Sequence, residues 1–174
     1  MRLFLNILGF QTAWWACIVG VGRGFEIPAL LYGLVLAGLH LRFARQPRQE
    51  VKLAALALVI GVAADTLLQM TSVILFYGWS LGPLSPFWLW LLWVLFAMTL
   101  NTSLSFLQTH TLWLSAVAGL VFGPLSYYAG AQLGAASFDR TTLHLGALAS
   151  TWAVALPVLV YAAQHFFTPQ KSPS

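Results

Sequence analysis

Long apolar runs alternate with short polar breaks along the chain. A helix that crosses a bilayer needs about 20 mostly apolar residues. Six runs fit this template, although the second is somewhat short. They cover residues 3–22, 27–43, 52–77, 87–108, 111–133 and 145–166. The pattern predicts an all-α integral membrane protein, with about six transmembrane helices in a single bundle.

Turn-forming residues fill the breaks between these runs. Gly22-Arg23-Gly24 breaks the first hairpin, Arg45-Gln46-Pro47-Arg48 the second, and Gly78 to Pro86 the third. Because the connections are short, consecutive helices are expected to be antiparallel neighbours. We expect one polytopic transmembrane domain over residues 1–168 and a short flexible tail over residues 169–174.

The composition supports a protein whose solvent is lipid. Hydrophobic residues make up 60% of the chain and charged residues 7%, whereas a soluble domain carries about 25% charged residues. The formal charge of +4 comes from a few groups beside the apolar runs. They form no stripe that could follow a nucleic-acid backbone. The expected partners are the lipid bilayer, a lipid or small-molecule ligand and a membrane partner protein, with no nucleic acid.

The distribution of Lys and Arg predicts the orientation, because positive residues are retained on the cytoplasmic side. With the amino terminus inside, Arg23 and Arg140 lie outside and the other basic residues lie inside. Those on the inner side are Arg2, Arg42, Arg45, Arg48, Lys52 and Lys171. Both termini are therefore predicted to be cytoplasmic.

Asp65 is the most informative single residue. It falls near the centre of the third run, where an aspartate costs about 2.5–3.5 kcal/mol on insertion scales. Gly61, Gln69 and Ser72 recur with it at helical spacing, so the acid belongs to a narrow polar stripe. Such residues usually face a bundle interior or a water-filled path. Asp65 is a candidate ligand anchor, proton carrier or intramembrane acid or base, and the competing interpretation is a hydrogen-bonded packing residue.

Other polar residues fall at a similar depth if the runs are aligned. Gln11 on the first run and Asn101 on the fourth, together with Gln69, could surround a polar group of a ligand near Asp65. Each of them alone is more often an interhelical hydrogen bond, worth about 0.6 kcal/mol. Only their convergence in space would make a ligand site.

Trp14 and His40 complete the candidate ligand-binding residues. Trp14 lies within the first run, which is compatible with an indole-lined pocket and also with ordinary packing. His40 could bind a ligand or carry a proton, although a histidine near the end of a run is more often an interfacial cap. The histidines have no metal-binding spacing and Cys17 is the only cysteine, so no metal site is predicted and the cofactor stays unknown.

Two further patterns concern packing. Gly119 and Gly123, four residues apart, predict close contact between helices. An aromatic group around the start of the fourth run is expected to form an interfacial belt. Its members are Trp79, Phe87, Trp88, Trp90 and Trp93.

Several segments together resemble the uncharacterised bacterial inner-membrane family labelled domain of unknown function 2878, and the resemblance spans essentially the whole chain. The resemblance implies a small polytopic protein of the inner membrane of Gram-negative bacteria, with a link to fatty-acyl modification of lipids and no catalytic residue to transfer. The segments are Asn6-x3-Phe10-Gln11-x2-Trp14, His40, Asp65, Pro86-x-Trp88-Leu89, Leu92-Trp93-x2-Phe96-Ala97-x-Thr99-Leu100 and Gly123-Pro124-Leu125-x-Tyr127-x-Ala129-Gly130.

Three functional interpretations stay open at this point. The first is binding or transport of a lipid or small amphipathic molecule in a buried polar pocket centred on Asp65. The second is an enzyme or enzyme accessory in membrane-lipid modification, against which stands the lack of a nucleophile motif. The third is a structural subunit of a membrane complex, in which the buried polar groups only specify helix packing.

Overall fold

The computed structural model describes residues 2–165, and Arg2 only through its backbone. The tail expected over residues 169–174 and Lys171 lie outside this range. Within it, six α-helices follow one another, so the prediction of an all-helical chain is confirmed. They are α1 (Arg2–Gly22), α2 (Glu26–Phe43), α3 (Pro47–Met70), α4 (Phe87–Leu100), α5 (Leu112–Gln132) and α6 (Thr142–His165).

Five of the helices, all except α4, are long and apolar enough to cross a membrane. Their outward surfaces are covered by large apolar side chains that a protein in water would not leave uncovered over such an area. Side chains that are half or more exposed include Phe4, Leu34, Val59, Phe122 and Val154. The fold is therefore that of a multi-pass membrane protein.

Helix α4 ends earlier than residue 108, the end of the fourth predicted run. It stops at Leu100, and a turn and a 3-10 helix (Ser105–Thr109) follow. The Gln108 amide donates to the Leu100 carbonyl at 2.8 Å. Helix α4 has 14 residues, so it is only about 21 Å long. Most of α4 is buried among the other helices, whereas the irregular segment that follows it is half-buried or exposed, with only Leu107 in the core.

Helix α3 is shifted towards the amino terminus relative to the predicted run 52–77. It begins at Pro47, whose ring suits the first turn of a helix, and ends at Met70, where Ser72 adopts a left-handed backbone with φ 59°. Asp65 therefore lies about 7 Å from the end of its helix, not at the centre. Hydropathy alone did not reveal this end, because the residues after Ser72 are again apolar.

Two loops meet at the end of the bundle where α1, α3 and α5 terminate. Strand β1 (Leu75–Phe76) pairs antiparallel with strand β2 (Ala136–Ser137). We call this the β-pair end and the opposite one the His40 end. The buried Glu26 carboxylate accepts the Trp79 backbone N–H, at 2.9 Å to one oxygen and 3.0 Å to the other. These contacts tie the loop between α3 and α4 to the start of α2.

The expected aromatic belt is only partly found at this end. Trp79 is 60% exposed, but Trp88 and Trp93 are 2% and 3% exposed and belong to the core. The indole nitrogen of Trp88 donates to the Tyr77 carbonyl at 2.8 Å. Because α4 occupies the centre of the bundle, its tryptophans point into protein instead of the membrane interface.

Candidate functional site

Asp65 lies at a point where three helices meet. Its side chain is fully buried. One carboxylate oxygen accepts the indole N–H of Trp93, from α4, at 2.8 Å. The other accepts the hydroxyl of Tyr127, from α5. We call Asp65, Trp93 and Tyr127 the Asp65 site, in which both carboxylate oxygens are hydrogen-bonded to aromatic side chains.

Glycines on the neighbouring helices make room for the rings of this site. A Cβ atom at Gly61, one turn before Asp65, would overlap the Trp93 indole. Trp93 stacks on Trp152 of α6 with ring centroids 4.5 Å apart and planes at 10°. A Cβ atom at Gly119 or Gly123 would overlap the backbone or ring of Trp152. The glycine pair therefore brings α5 and α6 together as its spacing predicted, and a tryptophan stack fills the space between Gly61 and Gly123.

A cavity of about 60 Å³, partly open to the surface, adjoins this stack. We call it the aromatic cavity. Its wall is made by residues of α1, α4, α5 and α6, with Phe76 and Ala136 contributed by the β-pair. The lining residues are Phe10, Trp14, Ile18, Phe76, Trp88, Leu89, Leu92, Trp93, Phe96, Ser126, Tyr127, Gly130, Ala136 and Trp152.

Asp65 is not part of this wall. It lies behind Trp93 and Tyr127, which are, so the carboxylate acts on the cavity through the two rings whose positions it determines. Trp14, a candidate from the sequence, does line the cavity. Its indole nitrogen donates to the Ser126 hydroxyl at 3.2 Å, which joins α1 to α5 across the cavity.

The carboxylate of Asp65 has no basic partner within residues 2–165. Neither of its hydrogen-bond donors is a cation. Every described Lys and Arg side chain is exposed. They are Arg23, Arg42, Arg45, Lys52, Arg48 and Arg140. The Asp65 site therefore combines a buried acid with neutral donors only.

His40 belongs to a separate polar group at the other end of the bundle. Its Nδ1 lies 3.5 Å from the Asn6 amide nitrogen, and its Nε2 lies 3.5 Å from a carboxylate oxygen of the buried Glu50. Asn6 also accepts the Ser103 hydroxyl at 2.6 Å. We call Asn6, His40, Glu50 and Ser103 the His40 site. Asn6 and Trp14 are separated by about 12 Å along α1, so the structure does not bring His40 to the aromatic cavity.

The remaining candidates also lie apart from one another. Gln11 is exposed on α1. Asn101 caps the end of α4 and accepts the Gln108 amide at 2.9 Å. Gln69 lies one turn after Asp65, half-buried, with its amide oxygen unpartnered among the described residues. The structure therefore does not bring Gln11 and Asn101 together with Asp65.

The residues that do surround Asp65 are mostly ones that the sequence analysis did not propose. Tyr127, Trp93 and Trp152 carry no unusual signal in a chain with 8 Trp and 5 Tyr. One usable hint was present for Tyr127. It lies one helical turn after Gly123, on the face of α5 that the glycine pattern marks as packed.

The described part of the chain contains no cluster of three or more His, Cys, Asp or Glu side chains that could hold a metal ion. The groups available in the aromatic cavity are ring faces, the Tyr127 and Ser126 hydroxyls and the indole N–H groups. This arrangement can bind an apolar or weakly polar molecule, and it contains no activated nucleophile of the usual kind.

A family model described as protein of unknown function (DUF2878) matches residues 3–158. The resemblance found in the sequence is thereby confirmed over most of the chain. No curated protein and no solved structure matches it.

Proposed function

The chain belongs to the DUF2878 family of proteins of unknown function, and because this membership assigns no activity, we propose a function from the geometry of the aromatic cavity. The protein binds a lipid or small amphipathic molecule there, for storage, presentation or transport within the membrane. The observation that carries the proposal is the cavity itself, which is walled by aromatic rings and has a buried acid behind two of them.

The shape of the cavity favours entry from the membrane. The β-pair contributes Phe76 and Ala136 to the wall at one end, and in this proposal it closes that end towards the aqueous phase. Next to the cavity, α1 and α5 are joined by the hydrogen bond from the Trp14 indole to the Ser126 hydroxyl. A single bond between two half-buried side chains opens more easily than packed helices, so an amphiphile would enter between α1 and α5.

In this proposal, Asp65 is a positioning residue. Its oxygens hold the Tyr127 hydroxyl and the Trp93 indole, so both rings keep one orientation towards the ligand. Ring orientation matters because aromatic contacts depend on which face or edge a ligand meets. The same hydrogen bonds also join α3, α4 and α5, which accounts for the structural contribution that the third interpretation assigned to Asp65.

We further propose that all six helices lie in the membrane, with both termini in the cytoplasm of a bacterial cell and the bundle in its inner membrane. Helix α4 would be a short central helix shielded from lipid by its neighbours. The described Lys and Arg residues support this orientation, since Arg42, Arg45, Arg48 and Lys52 flank the His40 end and only Arg23 and Arg140 flank the other.

Filling the cavity tests the proposal. Ser126 lines the cavity, and Ser150 is an exposed serine on α6. In Ser126→Leu the added side chain occupies the cavity, whereas Ser150→Leu makes the same chemical change at the surface. Native mass spectrometry of the purified proteins should show an amphiphile that co-purifies with the wild type and with Ser150→Leu, and is lost from folded Ser126→Leu. The same bulk lipid on all three proteins would refute the proposal.

A further inference from the structure

We infer that the aromatic cavity selects a positively charged amphiphile, one whose head group is an alkylated ammonium. This inference rests on the proposed binding at the cavity and adds the charge and chemical class of the ligand. It follows from the juxtaposition of a buried acid without a counter-ion among the described residues, a wall of aromatic rings and only two hydroxyl acceptors.

The Asp65 carboxylate lacks a counter-ion among the described residues. Asp65 is fully buried and accepts hydrogen bonds through both oxygens, as an ionised carboxylate does. A buried charge without an opposite charge is strongly unfavourable. Within residues 2–165 every described Lys and Arg side chain is exposed, and His40 lies at the opposite end of the bundle, so the described residues supply no cation to this site. A cation bound in the adjoining cavity would provide the compensating charge.

Aromatic rings line most of the aromatic cavity. Cations are attracted to the faces of aromatic rings, most strongly to tryptophan and most of all where water is excluded. The rings of Trp14 and Tyr127 contribute to the wall, together with those of Phe10, Phe76 and Phe96. The faces of Trp93 and Trp152 pack on each other and on Gly61 and Gly123, so these two rings offer the cavity only their edges. Tyr127 and Trp93 donate their polar hydrogens to Asp65, and donation to a carboxylate makes each ring more electron-rich. These rings are therefore suited to a cation.

The small number of hydrogen-bond acceptors in the wall favours an alkylated ammonium over a primary one. A primary ammonium has three donors that need acceptors. The non-ring acceptors facing the cavity are the hydroxyl oxygens of Ser126 and Tyr127, and Ser126 already accepts the Trp14 indole, so three ammonium donors would not all be satisfied. A quaternary ammonium has no N–H donors, so burial leaves nothing unsatisfied. The cavity of about 60 Å³ is small and partly open, so the head group would occupy it and the alkyl tail would extend between α1 and α5.

Binding of two matched ligands to the purified protein tests this inference. One probe is dodecanoylcholine, and the other is its neutral isostere 3,3-dimethylbutyl dodecanoate, in which carbon replaces the nitrogen and the ester remains as a polar group. They have the same shape and differ in charge. Isothermal titration in a maltoside detergent measures both affinities without a competing lipid cation. We expect the cation to bind at least about tenfold more tightly, as a desolvated cation–π contact predicts.

Two variants locate the source of the preference. Asp65→Asn keeps the shape of the side chain and removes its charge, so the ratio of the two affinities should fall to within about twofold, whatever the change that both probes share. Glu50→Gln removes a buried acid of the His40 site and should leave the preference unchanged.

The outcomes separate the two proposals. If both probes bind wild-type protein equally, the inference about charge is wrong and the proposed amphiphile binding stands. If neither probe binds and no amphiphile co-purifies, the proposed function is wrong as well. Because the wild-type comparison is decisive by itself, the test does not depend on whether Asp65→Asn folds.

Discussion

Two buried acids of the same helix, Asp65 and Glu50, have opposite surroundings. Both belong to α3, about 22 Å apart along its axis. Glu50 lies 3.5 Å from His40, a group that can become a cation, and close to the exposed basic loop at that end. Asp65 has neutral aromatic donors and adjoins the aromatic cavity. Glu50 therefore lies next to a histidine of the protein, whereas the two donors of Asp65 line a cavity.

This difference explains why burial alone did not identify a site. Within residues 2–165, three of the four acidic residues, Glu26, Glu50 and Asp65, are buried, and Asp139 is exposed. The Glu26 carboxylate accepts the Trp79 backbone N–H, and the Glu50 carboxylate lies 3.5 Å from His40. Only Asp65 holds groups that themselves line a cavity. The function is therefore proposed for the aromatic cavity, and the His40 site is interpreted as a contact that joins α1, α2 and α3.

The largest effect is expected from disturbing the tryptophan stack. Gly61→Ala places a methyl group where the Trp93 ring lies, which should displace the ring and remove its bond to Asp65, at a cost of about 3 kcal/mol. Gly38→Ala, near His40, has no atom within 4 Å of the added Cβ and should change stability by less than about 0.5 kcal/mol. Thermal unfolding in detergent measures both. Equal stability of the two variants would mean that Trp93 is not held against α3.

An intermediate effect is expected from neutralising each acid in turn. Asp65→Asn replaces an acceptor oxygen by an NH₂ group facing a donor, which leaves Trp93 or Tyr127 unsatisfied and should cost about 2 kcal/mol. Glu50→Gln keeps the shape of the side chain and loses only a long contact, 3.5 Å, with His40, so it should cost less than about 1 kcal/mol. The same unfolding measurement applies. A greater loss for Glu50→Gln would reverse the comparison of the two sites.

The smallest effect is expected from removing one hydroxyl at each site. Tyr127→Phe keeps the ring in the cavity wall and loses the bond to Asp65, for about 1 kcal/mol, within the range known for membrane helices. Ser103→Ala removes the bond to Asn6, which is half-buried, and should cost about 0.5 kcal/mol. Bound amphiphile, measured by native mass spectrometry, should decrease only in Tyr127→Phe. A decrease in Ser103→Ala would connect the His40 site to binding.

Much of the fold was predictable because it follows from hydropathy. Residues 3–22, 27–43 and 111–133 were predicted almost as α1, α2 and α5 are found. The ends of α3 and α4 were missed, because hydropathy does not mark a helix end inside an apolar run. Helix α3 ends where Ser72 adopts a left-handed backbone conformation. Helix α4 can end at Leu100 because the Gln108 side-chain amide donates a hydrogen bond to the Leu100 carbonyl.

The site was only partly predictable, because depth in the membrane does not tell which way a side chain points. On α1, Phe10, Trp14 and Ile18 recur every four residues and line the cavity. Gln11 lies about 100° around the helix from Phe10 and is exposed. Trp93 and Tyr127 could not be selected in advance, since their roles depend on which helices become neighbours of α3.

The central claim is that an amphiphile occupies the aromatic cavity, and photolabelling tests it most directly. A dodecyltrimethylammonium derivative with a diazirine near its head group would be activated on purified protein, and the labelled peptides mapped. The account predicts labels concentrated on residues 10–18 of α1 and 126–130 of α5, reduced several-fold in Ser126→Leu but not in Ser150→Leu. Labels spread over the exposed helix surfaces, equally in all three proteins, would contradict it.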